Sequence, residues 1–173
     1  MLKFLFLIAL LCYTTISSAE VTLQAQANYA PPNGFIGSAL IEFQGESLSK
    51  KIALTGRFAS MGYEYTDGDY WEDGYGSAYG PGMRYYSNGE ASGFYLGAEL
   101  LMFNITVDSG GWGWYGTTWI EGMVPTITLG SRIPLQANLF IKPQGLIALV
   151  GVAGSDAEVP VILGAGLGIG IAF

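Results

Sequence analysis

The 173-residue chain contains no histidine and one cysteine, Cys12, and this narrows the chemistry open to it. Ser–His catalysis and histidine-ligated metal chemistry are excluded outright. Carboxylates and basic side chains remain. Glu99 with Arg132 or Lys142 is formally capable of proton transfer, but buried acid–base pairs are more often structural. The acidic run TDGDYWEDGYG gathers Asp67, Asp69, Glu72 and Asp73, whose hard oxygens suit Ca²⁺. The spacing nevertheless lacks the glycine at position six and the glutamate at position twelve of an EF-hand loop. We therefore expect no metal, no cofactor and no catalytic residue.

One glycine-rich stretch, VILGAGLGIGIAF, also invites a chemical reading. A dinucleotide loop needs G-x-G-x-x-G opening a helix, whereas Gly164, Gly166, Gly168 and Gly170 fall strictly every second residue. Four such glycines would cost a helix about 1 kcal/mol each relative to alanine. A strand fits instead. Val161, Leu163, Ala165, Leu167, Ile169, Ile171 and Phe173 form one apolar face, and the glycine face is almost bare. The apolar face suits lipid, and the bare one a crowded, narrow interior.

The elements around these residues follow the same period. VTLQAQANYA sets Val21, Leu23, Ala25, Ala27 and Tyr29 against Thr22, Gln24, Gln26 and Asn28. FIGSALIEFQ and KIALTGRFASMGYEYT alternate likewise, the latter blurring from Met61 to Tyr65 in a way that suggests a bulge or emergence from a membrane. SAYGPGMRYY, SGFYLGAELLMFNITV, WIEGMVPTITLGSRI, LQANLFIKPQGLIALVGVA and EVPVILGAGLGIGIAF bring the count to eight. Most exceed the roughly 9–11 residues that cross a bilayer at a tilt. Pro81, Pro125 and Pro143 fall inside these runs and predict local kinks.

Composition points the same way. MLKFLFLIALLCYTTISSAE has basic Lys3, an apolar run, and small Ser17 and Ala19 ahead of Glu20. That is the pattern of a secretory signal peptide over 1–19, leaving 20–173 as one domain. Without that segment, six basic residues face fourteen acidic ones, a balance that argues against nucleic acid as a partner. Half the residues are hydrophobic, yet none of the later segments reads as a membrane helix. Hydrophobicity hidden in alternation is the mark of an all-β, antiparallel, up-and-down transmembrane barrel of eight strands. The connections PPNG, DGDYWEDGYG, DSGGWGWYGTT and GSDAE alternate with GESLSK, SNGEA and a very short turn near Pro134. Two of the first set are the longest, and barrels keep longer loops outside the cell.

An eight-stranded barrel has an interior just wide enough to be filled by side chains. Five of the six later basic residues, all but Lys50, fall within the strands as read. The inward set then includes Glu42, Arg57, Arg84, Glu99, Arg132 and Lys142, which a low-dielectric lumen tolerates only as a paired network. In the long loops, Tyr70, Trp71, Trp112, Trp114 and Tyr115 are candidates for stacking on sugars or partner proteins. Aromatic girdling of the bilayer is the simpler account of the same residues.

The signal segment, the stretches GMRYYSNGEASGFYLGAEL and FIKPQGLIALVG, and the terminal GLGIGIAF together resemble the small bacterial outer-membrane β-barrels of the OmpA/OmpX-like group. The resemblance implies export to the outer membrane of a Gram-negative cell, contact with outer-membrane lipid and lipopolysaccharide, and no shared active site. It also implies that Leu167, Ile169, Ile171 and Phe173 form the signal read by the barrel-assembly machinery. The function expected is structural or surface-interacting (adhesin-like), through loops that meet an unknown extracellular partner. A soluble periplasmic lipocalin-like barrel with an apolar ligand, a narrow pore, and a membrane enzyme are the alternatives.

Overall fold

A computed structural model describes residues 20–30, 34–45, 51–89, 92–136, 138–149 and 161–173. The expected signal peptide with Cys12, and most of the PPNG, GESLSK and GSDAE connections, lie outside the described residues. Eight strands are described: β1 (Glu20–Ala30), β2 (Gly34–Gln44), β3 (Ile52–Asp67), β4 (Tyr70–Tyr86), β5 (Gly93–Gly111), β6 (Trp114–Gln136), β7 (Leu139–Leu149) and β8 (Val161–Ala172). Each pairs antiparallel with its sequence neighbours, and β8 returns to β1, closing the barrel.

The period-two pattern decides which face turns inward. Thr22, Gln24, Gln26 and Asn28 are buried in the lumen, while Leu23 and Tyr29 point out. Around the ring the outer surface carries Phe35, Leu54, Phe58, Met83, Leu96, Leu129, Leu163 and Leu167, all exposed. So wide an apolar surface is suited to lipid rather than water. A soluble lipocalin-like barrel would need the opposite facing, and that alternative is set aside.

The glycine face of β8 is an accommodation to its neighbours. A Cβ on Gly166 would lie 2.1 Å from Asn28 Oδ1, and one on Gly170 would lie 2.3 Å from the Phe140 ring. Slim positions on β8 therefore leave room for long side chains of β1 and β7.

Several local expectations are corrected. The stretches read as long loops are mostly strand: β3 and β4 join through Gly68 and Asp69 alone, and β5 and β6 through Trp112 and Gly113. Gly68 and Gly113 take positive φ, as two-residue hairpin turns demand. The blurred stretch from Met61 to Tyr65 holds no bulge, since its register with β4 runs unbroken. Alternation fades there because both faces become exposed beyond the end of β2. β6 runs on past Pro134 to Gln136, and Pro134 instead marks a register shift between β6 and β7. Lys51 sits ahead of β3, not within it. Pro81, Pro125 and Pro143 all face outward. Near two of them ladder pairs drop out: Gly80 and Pro81 lack partners on β5, and Pro143 lacks one on β6.

The glycine contacts generate a direct test. Gly170→Ala should destabilise the barrel by about 1–3 kcal/mol through overpacking against Phe140. Gly145→Ala, whose Cβ would meet nothing closer than 3.9 Å, should stay within about 0.5 kcal/mol. Urea unfolding midpoints in detergent micelles compare the two.

Candidate functional site: the lumen network and the hairpin tips

Two carboxylates organise the lower lumen, the end where Glu20 and Phe173 lie. Glu42 on β2 accepts from Arg84 Nη1 at 2.9 Å, Lys142 Nζ at 3.0 Å and the Tyr86 hydroxyl at 2.8 Å. Lys142 also donates to the Tyr86 hydroxyl oxygen and lies 5.0 Å from the Tyr95 ring centroid. Glu99 on β5 takes a two-point contact from Arg57, Nε at 2.6 Å and Nη2 at 2.9 Å. Arg57 Nη1 donates to Gln26 at 2.8 Å and to Ser38 at 2.9 Å. Arg84 Nη2 stands 3.5 Å from Glu99 and links the two clusters.

All five of these charged residues are buried. Taking such charges out of water costs several kcal/mol per ion, which only close, multiply bonded partners offset. Room for the network comes from glycines: a Cβ on Gly82 would meet Glu99 Cγ at 2.5 Å, and one on Gly97 would come within 3.1 Å of Arg84 Cγ.

The structure gathers five of the six predicted lumen residues and sets the sixth apart. Arg132 pairs with Glu20 at 2.8 Å near the rim and stacks 4.1 Å over the Phe140 ring. Glu99 therefore pairs with neither Arg132 nor Lys142, the partners first considered for it. Sequence reasoning missed Glu20, Tyr86, Tyr95 and Gln144. Tyr95 donates to Gln144 at 2.8 Å, and Gln144 donates to Asn28 at 2.7 Å. The polar face of β1 signalled part of this set, whereas tyrosines inside a barrel look like girdle residues from sequence.

The upper half of the lumen differs from the ion-paired plug expected throughout. There Ala59, Ala78, Leu101 and Phe103 form an apolar cluster packed by Ile36, Met61, Ile105 and Val124. Here both faces of the wall are apolar.

Above the barrel rim, β3 to β6 continue as one four-stranded sheet, and β4 stays paired with β5 as far as Trp71 and Gly110. The five aromatic candidates lie at its tip, but only Trp112 is in a turn; Tyr70, Trp71, Trp114 and Tyr115 are on strands. They pack in pairs, Trp71 with Tyr115 at 6.0 Å and Tyr70 with Trp114 at 6.1 Å. Gly110 lies between the first pair, where a Cβ would come within 3.0 Å of the Trp71 ring. Trp112 is 89% exposed at a φ of 42°, a conformation that bulky residues rarely take. The Tyr70 hydroxyl donates to Glu72, and this bond, with partial desolvation and the Glu72 charge, pushes its pKa up to about 12. Asp67, Asp69, Glu72 and Asp73 do not converge: no group of three metal-ligating side chains occurs among the described residues. Leu167, Ile169, Ile171 and Phe173 share the outer face at the β8 end.

The lumen geometry predicts large costs of truncation. Glu42→Ala strands two cations and a tyrosine, and Glu99→Ala strands Arg57; each should cost about 3–5 kcal/mol. Glu42→Gln should recover part of the loss by keeping the hydrogen bonds. Thermal and urea unfolding in micelles measure this, and an unchanged midpoint for Glu99→Ala would refute the network's structural weight.

No family model matches the sequence, and no curated protein does. Solved structures do. The N-terminal barrel domain of Pseudomonas aeruginosa OprF matches with a TM-score of 0.62 at 19% identity, over 89% of this chain and 97% of that one. Neisserial surface protein A matches with 0.61 at 13% identity, over 90% and 96%. The attachment invasion locus protein Ail of Yersinia pestis, solved with the heparin analogue sucrose octasulfate, matches with 0.55 at 12% identity, over 90% and 97%. At these identities the likeness is one of architecture: the chain has the fold of the small eight-stranded outer-membrane β-barrels.

Proposed function

We propose that the protein is a non-enzymatic outer-membrane barrel whose working surface is the four-stranded sheet projecting beyond the rim. The observation that carries this reading is the aromatic tip. Trp112 is held exposed in a strained turn, above two packed aromatic pairs, on a sheet longer than membrane crossing requires. An extension of strands costs ordering entropy that a short turn would avoid. Its rigidity suits presentation of a binding surface better than a flexible loop would. The outward stripe ending at Phe173 supports recognition by the barrel-assembly machinery, and the apolar belt supports contact with outer-membrane lipid and lipopolysaccharide. A narrow pore is disfavoured by the buried side chains of Arg84, Lys142, Tyr86 and Phe140 across the lower lumen.

The tip's charge restricts the partner. Glu64, Asp67, Asp69, Glu72, Asp73, Asp108 and Glu121 lie on the projecting sheet, and no lysine or arginine occurs between Arg57 and Arg84 or between Arg84 and Arg132. Such a surface repels polyanions, so a heparin-like ligand, as in the Ail complex, does not carry over. A neutral or cationic surface that offers faces for aromatic stacking fits better.

Two measurements test the reading. Thr118→Cys places one thiol on the exposed sheet of a mature chain with no other cysteine. A membrane-impermeant maleimide should label it on intact cells; labelling only after lysis would refute the outward orientation. Combined Trp71→Ser, Trp112→Gly, Trp114→Ser and Tyr115→Ser should lower retention of barrel-displaying cells on glass coated with a neutral glycan (dextran) under flow several-fold. Equal retention would remove the tip from the function.

A further inference from the structure

The upper lumen contains a cavity of about 140 Å³, walled mainly by apolar side chains and floored by polar ones. It exists because Ala59 and Ala78, a directly opposed pair on β3 and β4, and Ala148 on β7 stand inward where Leu101 and Phe103 supply bulk on β5. At the floor lie Asn28, Thr128 and the Arg57–Glu99 pair. Asn28 and Thr128 are each 1% exposed, yet Asn28 Nδ2 and Thr128 Oγ1 have no hydrogen-bond partner. A buried amide nitrogen without an acceptor is costly and uncommon. Asn28 Oδ1 is already engaged by Gln144, so the amide's remaining capacity is to donate. The adjoining network holds three basic side chains, Arg57, Arg84 and Lys142, against two carboxylates, Glu42 and Glu99.

We propose that this cavity is a binding site for a compact apolar carboxylate, its body among the alanines and its head group on Asn28 and Thr128. The size sets the class of body: an engineered apolar cavity of roughly 150 Å³ holds benzene. The unmet donors and the excess of basic groups set the head as an anionic acceptor. A hydrocarbon would leave the floor unsatisfied, and an ammonium group would add a cation where cations already outnumber carboxylates. Water alone would meet the donors but leave the apolar walls wet, a poor state for a void so lined.

The test uses the mature barrel in phosphatidylcholine nanodiscs, with benzoate as probe and toluene as its headless counterpart. Methyl NMR of Leu101, Val124 and Met61 reads occupancy. Benzoate should shift these methyls saturably and bind at least five-fold tighter than toluene. Asn28→Ala should weaken benzoate by five-fold or more and leave toluene within two-fold. Ala78→Phe, which puts a ring of the ligand's size into the void, should abolish both. If that variant fails to fold, judged by heat-modifiable gel mobility, Ala148→Leu takes its place. No saturable shift, equal affinity for toluene, or binding that survives the filled cavity would each overturn the proposal; the first would leave the floor to water.

Discussion

Charge neutralisation inside a narrow lumen is the constraint on which the rest of this barrel depends. Glu42 binds cations from β4 and β7 and a tyrosine from β4, so one carboxylate fastens together strands on three parts of the ring. Each partner must arrive on the inner face at the same height. A one-residue slip in any of these strands would turn its charged member out to lipid and its apolar members in. The ion cluster thus acts on register as well as on stability. The glycines at 82 and 97 belong to the same constraint, because the side chains they admit are the ones that must meet.

How much of this was legible follows from what a period of two can carry. It identified the eight strands and the inward facing of Glu42, Arg57, Arg84, Glu99, Arg132 and Lys142, since facing is a property of one strand. Pairing depends on the stagger between strands, which no single strand encodes; Arg132 consequently turned out to meet Glu20. The apolar upper lumen was hidden for a related reason. Where both faces are apolar, alternation vanishes and a strand wall looks like any hydrophobic run. The hairpin tips misled because glycine, aspartate and aromatics in succession have the composition of a loop. In the folded chain, Gly110 and Gly74 are strand residues kept small by the Trp71 and Tyr63 rings beside them.

The molecule is consequently layered along its axis. Ion pairs fill the lower lumen, apolar side chains line the upper one, and a sheet carrying acids and aromatics stands above. The outer belt is uniform by comparison, as the requirement of lipid contact is the same around the ring. Diversity is confined to the lumen and the projecting sheet, the regions where a small barrel is free to differ from others of its architecture.

The seam between β1 and β8 is the one strand pairing that joins elements far apart in sequence. Thr22 pairs with Ala172, and the Phe173 N–H donates to the Val21 carbonyl at 2.9 Å, so the ring closes by joining opposite ends of the chain. Every other pairing is between sequence neighbours and forms at small loop-closure cost. Without that seam the sheet would have two free edges, the polar-faced β1 and the glycine-faced β8. Such a sheet has unpaired backbone groups that hydrocarbon does not tolerate. Stability in hydrocarbon is therefore conditional on the one pairing that spans the described sequence from β1 to β8.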